Sequence, residues 1–218
     1  MNKKQIIAKT KDYVEQKFAS DSSGHDWWHI YRVWRLAKHI AAQEKSADLF
    51  IVELAALLHD IADWKFADGD LETGPKAARA WLASLEVNEK VITAVEDIIR
   101  NVSFKGANVK SDLKTIEGQI VHDADKLDAI GAIGIARCFA FGGSVGNKMY
   151  DPAQKPVLHS SFDEYKKMGS SSITHFYEKL LLLKDRMFTE TGRQMAVSRH
   201  EFMEKYLEEF YGEWDGKI

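Results

Sequence analysis

The sequence predicts an all-α, single-domain fold, and three observations predict it. Apolar residues recur at three- and four-residue spacing along most of the chain, no stretch alternates with the period of a β-strand, and only three prolines interrupt 218 residues. A chain of this length can bury roughly 70% of its unfolded surface as one large domain.

The elements follow in order. Residues 2–18 read as a first helix. Residues 26–44 read as a second, with His29, Val33, Leu36 and Ile40 on one stripe and Asp26 as an N-cap. The segment 48–60, "DLFIVELAALLHD", is apolar almost all round, which marks a central buried helix capped by Asp48. In 73–85, "TGPKAARAWLASL", Pro75 stands near a helix start. Further helices fit 88–101, 112–125 and 127–141. Residues 142–160 carry glycine, asparagine and the two remaining prolines, and form a loop longer than ordinary connections, as a lid or an irregular excursion. Two long amphipathic helices are expected over 161–215, packed on a core of about 20–140. The first aligns Ile173, Phe176, Tyr177, Leu180, Lys184 and Met187; the second aligns Met203, Leu207, Phe210 and Trp214.

Composition narrows the function classes. A net charge of −3 gives no global reason to bind nucleic acid or a membrane surface. A single cysteine, Cys138 in the apolar "GIARCFAF", excludes an internal disulfide and a multi-cysteine zinc site and reads as a small buried hydrophobe. The N-terminal "MNKKQIIAKTKDYVEQ" lacks an apolar signal region and no run reaches membrane-spanning length, so a cytoplasmic, reduced setting is expected.

The dipeptide His-Asp occurs three times, as His25-Asp26, His59-Asp60 and His122-Asp123. In "LLHDIADW", His59 and Asp60 can flank one ion from a single turn, and Asp63 follows four residues after His59. A solvated helix end is the plainer alternative. In "SGHDWWHIYRVWRLA", His25 and His29 have i,i+4 spacing, although His25 falls at or before the helix start while His29 faces the core. A satisfied core histidine would read the same way. In "IVHDADKLDAIGAIGIAR", Asp123, Asp125 and Asp128 lie within six residues around Lys126; acidic residues at a helix start also simply complement its dipole.

Taken in order, "HDWWHIYRVWRLA", "AALLHDIADW" and "HDADKLDAIGAIGIAR" resemble the HD-domain superfamily of metal-dependent phosphohydrolases, and the tail "SSITHFYEKLLLLKDRMFTETGRQMA" is similar to its small stand-alone bacterial members. The resemblance implies an HD-domain fold with His29, His59, Asp60 and Asp125 as metal ligands, and Asp123 and Asp128 in supporting positions. Such a mixed nitrogen and oxygen set suits one divalent transition metal, with Mn²⁺ favoured and Fe²⁺, Co²⁺, Ni²⁺ or Zn²⁺ as alternatives. Members with two metals supply extra histidines before the last aspartate. Here none stands between His59 and His122, and Asn101 sits where one would be sought, so a single ion is expected.

The chemistry implied is attack of a metal-activated water on phosphorus, with Asp60 among the ligands and Asp63 orienting the water or taking its proton. Arg32, Lys126, Lys105, Lys148 and His25 are the expected substrate contacts, with Arg137 and Lys155 behind them. The expected substrate is a nucleotide. Release of pyrophosphate from a (deoxy)nucleoside triphosphate leads, removal of phosphate from a monophosphate follows, and a nucleotide-binding sensor without turnover is the non-enzyme alternative. A homodimer is compatible with the sequence. No basic-aromatic stripe favours a nucleic-acid substrate, and the "GYP" signature associated with cyclic-dinucleotide hydrolysis is absent.

Overall fold

Short polar side chains start most of the helices. In the computed structural model, which describes residues 1–19, 26–44, 46–62, 72–104, 106–109, 111–158, 161, 164 and 169–218, Asn2 and Gln5 form a capping box at the head of α1 (Lys3–Lys17). Asp26 accepts from His29 N to open α2 (Trp27–Ala41), and Asp48 from Phe50 N to open α3 (Leu49–Leu58). Then come α4 (Thr73–Ser84), α5 (Glu89–Val102) capped by Asn88, α6 (Ile116–Asp128) capped by Thr115, and α7 (Gly131–Ser144). Ser171 caps the short α8 (Ser172–Glu178), and Thr189 caps α9 (Glu190–Trp214). The fold is all-α, as the periodicity predicts, with no strand among the described residues.

The helix with no polar face sits at the centre. Val52 and every residue from Leu54 to Leu58 of α3 are fully buried, and α3 packs against α1, α2, α5 and α6. Helices α2 and α6 lie against each other, and α9 closes over α6 and α7. One apolar cluster runs from Ile6 to Leu207. No single helix among the described residues is long and apolar enough to cross a membrane; only α6 and α7 together pass that test, and they are bent by 72°.

Two sequence expectations need correction. The helices placed at 112–125 and 127–141 run instead over Ile116–Asp128 and Gly131–Ser144. Their joint falls at Ala129–Ile130, because Gly131 turns the chain with φ +75°, a conformation that favours glycine. A side chain there would also press on Arg199. Asp125 and Asp128 therefore both lie in the last turn of α6. The first of the two long C-terminal helices is broken into α8 and two 3₁₀ turns, Leu180–Leu182 and Lys184–Arg186. Lys179 leaves the helical region at φ −143°, ψ −60°, and the Arg186 guanidinium bonds to the carbonyls of Gly106, Ala107 and Val109. Ile173, Phe176, Leu180 and Met187 are still buried; their spacing reports a core-facing segment rather than a continuous helix.

The 142–160 segment begins inside α7 and, through residue 158, is fastened down. Ser172 N and Ile173 N donate to the carbonyls of Lys148 and Met149 at 3.0 Å each. Gln154 Oε1 accepts from Ser171 N at 2.7 Å, and Glu178 Oε1 accepts from Val157 N at 3.0 Å. Tyr150 packs edge-on against Phe210, Tyr211 and Trp214 of α9.

Helix α9 is seated on α6 through one carboxylate. Asp123 is fully buried and accepts from Phe188 N, Thr189 N at 2.7 Å and Thr189 Oγ1 at 2.8 Å. Gly192 leaves room for it, since a Cβ there would overlap Asp123 Oδ2. Asp123→Ala is expected to lower stability by about 2–4 kcal/mol, because four donors, His122 Nδ1 among them, lose their acceptor. Thr189→Ala should cost about 1–2 kcal/mol as a lost helix cap. Urea unfolding of both variants measures the order, which reverses if Asp123 is not the principal seat.

Candidate metal centre

Three helices deliver the polar residues to one point. His29, on the first turn of α2, is buried; its backbone N–H is held by Asp26 Oδ1 at 3.0 Å. His59 is the C-cap of α3 and is 5% exposed, so its imidazole enters the core with the helix end. Asp60 follows directly. Asp125 comes from the last turn of α6.

The imidazoles are oriented from behind. His59 Nδ1 lies 2.8 Å from the carbonyl of Ala56, which can only accept, so Nδ1 carries the proton and Nε2 presents a lone pair. His29 Nδ1 lies 2.8 Å from Asp128 Oδ2, which fixes the same tautomer when the ring is neutral. The two Nε2 atoms then face each other at 3.2 Å. Asp60 Oδ2 is 3.3 Å from His29 Nε2 and 3.5 Å from His59 Nε2. Asp125 Oδ1 is 3.7 and 3.8 Å from the same two nitrogens.

That arrangement fits a cation. Two lone pairs and two carboxylate oxygens converge with no donor between the neutral rings, an unfavourable set unless a positive charge sits among them. Nitrogen and oxygen ligands about 2.1 Å from an ion stand roughly 3.0–3.4 Å from one another, and the observed separations form a slightly wider frame. His29, His59 and Asp125 are thus positioned for a metal, the one such group among the described residues.

Charge around the donors is balanced by contacts sunk into the fold. Burial and nearby Arg137 would lower the His29 pKa, but the carboxylates of Asp128 and Asp60 on either side of the ring favour its protonated form and raise it. Burial would raise Asp125, yet Lys126 at 2.7 Å and the two histidines hold it well below the usual carboxylate range. Lys126 is 3% exposed, and its ammonium also donates to the Val102 carbonyl. Asp128 receives Arg32 through Nε at 2.7 Å and Nη2 at 3.1 Å, and Arg137 Nη1 at 3.1 Å. Burial works against its ionisation, but His29 and the two arginines bring it down to about 2.

The structure brings His29, His59, Asp60 and Asp125 together and places Arg32 and Lys126 beside them, each engaged with an aspartate. Lys148 is exposed and ion-pairs with Asp151 at 2.8 Å. Lys155 is exposed. His25, Asp63 and Lys105 lie outside the described residues. Asn101 donates its amide to the Asp97 carbonyl. Asp123 and Asp128 find their partners far away in sequence. Asp128 meets His29 across 99 positions of sequence, and Asp123 meets Thr189 across 66; spacing within "DADKLD" holds no signal for such contacts.

The chain is similar to known proteins along nearly its whole length. The HD domain family model matches residues 27–130. YpgQ of Bacillus subtilis, an uncharacterized protein, is 41% identical over 199 residues, covering 90% of this chain and 88% of YpgQ. A Lactobacillus plantarum crystal structure superposes with a TM-score of 0.88 at 36% identity, covering 99% of this chain and 100% of that one. An HD-superfamily hydrolase from Bacillus thuringiensis gives 0.73 at 43% identity over 98% and 99% of the two chains. The chain belongs to the HD-domain superfamily of hydrolases.

The Asp128 contacts carry a pH consequence. An aspartate with a folded pKa of about 2, against an ordinary 3.8, binds fewer protons folded than unfolded. Its stabilisation, roughly 2 kcal/mol, is present above about pH 4 and is lost as pH falls towards 2. In urea unfolding across this range, Asp128→Asn should show a shallower acid slope than the wild type and a stability lower by about 2–4 kcal/mol at neutral pH. An unchanged slope contradicts this assignment.

Proposed function

We propose that this protein is a metal-dependent phosphohydrolase acting on a nucleotide, releasing pyrophosphate from a nucleoside triphosphate. The observation that carries the reading is the convergence of His29 Nε2, His59 Nε2, Asp60 Oδ2 and Asp125 Oδ1 on one point. These four side chains would hold one divalent ion, Mn²⁺ by preference, with Fe²⁺, Co²⁺, Ni²⁺ and Zn²⁺ also suited to the donors. When bound, the ion acidifies a water and polarises a phosphoryl oxygen.

The chain's own residues supply the rest. Asp128 and Ala56 keep both histidines in the ligand tautomer. Lys126 keeps Asp125 ionised. Arg32, Arg137 and Lys126 contribute +3, and Asp60, Asp125 and Asp128 contribute −3, so these six side chains sum to zero beside neutral histidines. A divalent ion takes the ensemble to +2, an environment matched to a phosphate anion. Arg32 remains 31% exposed along its side chain while it grips Asp128. Asp63 is assigned to orient or deprotonate the water. A solved structure of YpgQ is a complex with ADP, which supports a nucleotide as the ligand class.

The test pairs metal content with product identity. Wild-type protein supplied with Mn²⁺ and a nucleotide panel should release pyrophosphate from triphosphates; orthophosphate from monophosphates would instead support the phosphatase reading. Asp60→Ala should lose both bound metal and turnover, whereas Asp26→Ala should keep its metal. A wild type that turns over no nucleotide contradicts the proposal.

A further inference from the structure

One titratable side chain near the centre has no part in the chemistry above. His122 lies on α6, 5% exposed, one turn before Asp125. At about 100° per residue, it falls between Asp125 and Lys126 around the helix axis. Both of those charges act on its ring. Its Nδ1 is 3.1 Å from Asp123 Oδ1, and Phe188 stands edge-on with ring centroids 4.9 Å apart.

The tautomer of this ring is settled by its neighbour. Asp123 already accepts from Phe188 N, Thr189 N and Thr189 Oγ1 and has nothing to donate as a carboxylate. His122 Nδ1 must therefore donate, and Nε2 is left as an acceptor. Burial lowers the His122 pKa, with Lys126 adding to the effect against the pull of Asp123 and Asp125, so the ring is neutral near pH 7. Nε2 has no partner among the described residues. It is also not one of their sealed, partnerless side-chain atoms, which are Glu178 Oε2 and His200 Nδ1.

A neutral ring nitrogen offering only a lone pair cannot recognise a phosphate, whose oxygens are acceptors too. It recognises an O–H or N–H donor. We propose that His122 is a specificity-determining residue whose Nε2 accepts a hydrogen bond from a hydroxyl or amine on the organic part of the substrate. This rests on the nucleotide reading above. Asp123 then has two tasks, seating α9 and holding the imidazole in the accepting tautomer.

The test uses full-length, Mn²⁺-loaded wild type, His122→Ala and His122→Gln, with binding of inorganic tripolyphosphate and of the non-hydrolysable α,β-methylene forms of ATP, 2′-deoxy-ATP and ITP measured by calorimetry. His122→Ala should weaken ATP about tenfold and leave tripolyphosphate unchanged, and His122→Gln, whose amide oxygen can accept, should recover part of the loss. If 2′-deoxy-ATP or ITP is insensitive to the substitution, the missing sugar hydroxyl or base amine is the donor; equal losses assign another donor common to all three. The inference is overturned if tripolyphosphate weakens as much as ATP, or if neither changes. A wild type that binds tripolyphosphate but no nucleotide overturns the nucleotide reading, and the inference with it. Equal melting temperatures for the three proteins separate a binding loss from a folding one.

Discussion

The site depends on one buried carboxylate. Asp128 takes the Nδ1 proton of His29 on one oxygen and is clasped by Arg32 and Arg137. Without it, two guanidinium groups and an imidazole would meet at the joint between α2, α6 and α7 with no counter-charge. Breaking a buried pair by removing one partner costs about 3–5 kcal/mol because a charge is left uncompensated. The same contact turns the His29 lone pair towards His59, so what holds the helices together also aims the ligand.

Helix α6 divides its acidic residues among three directions. Asp123 faces α9 and seats its first turn, Asp125 faces His29 and His59, and Asp128 faces α2 and α7. Successive residues turn by about 100°, so three aspartates within six positions reach different surroundings, and Asp125 and Asp128 meet His29 on opposite ring nitrogens. The cost of burying three carboxylates on one helix is offset separately, by backbone and hydroxyl donors at Asp123, by Lys126 at Asp125, and by two arginines and a histidine at Asp128.

Local sequence carried the elements and the ligand types; distant partners carried what it could not. The stripe of His29, Val33, Leu36 and Ile40 and the all-round apolar "DLFIVELAALL" are local patterns, and α2 and α3 form where they stand. The break between α6 and α7 depends on how Gly131 passes Arg199, and the break after α8 on how Arg186 grips the 106–109 carbonyls; neither partner is near in sequence. At the site, the order His29, His59-Asp60, Asp125 was legible through family resemblance. The Asp128 fork was not, because two of its three partners, Arg32 and His29, lie 96 and 99 positions before it. The three His-Asp pairs also separate. His59-Asp60 brings two donors to the centre, Asp26 caps α2, and Asp123 secures α9 beside a neutral His122.

The central claim is that Asp128 fixes His29 as one of four donors to a single ion. Its most direct measurement is a Mn²⁺ titration of metal-free wild type and Asp128→Asn, with circular dichroism establishing that both are folded. The account predicts one equivalent bound by the wild type and an affinity lower by about 10–100-fold in the variant. Equal affinities in the two folded proteins would contradict it.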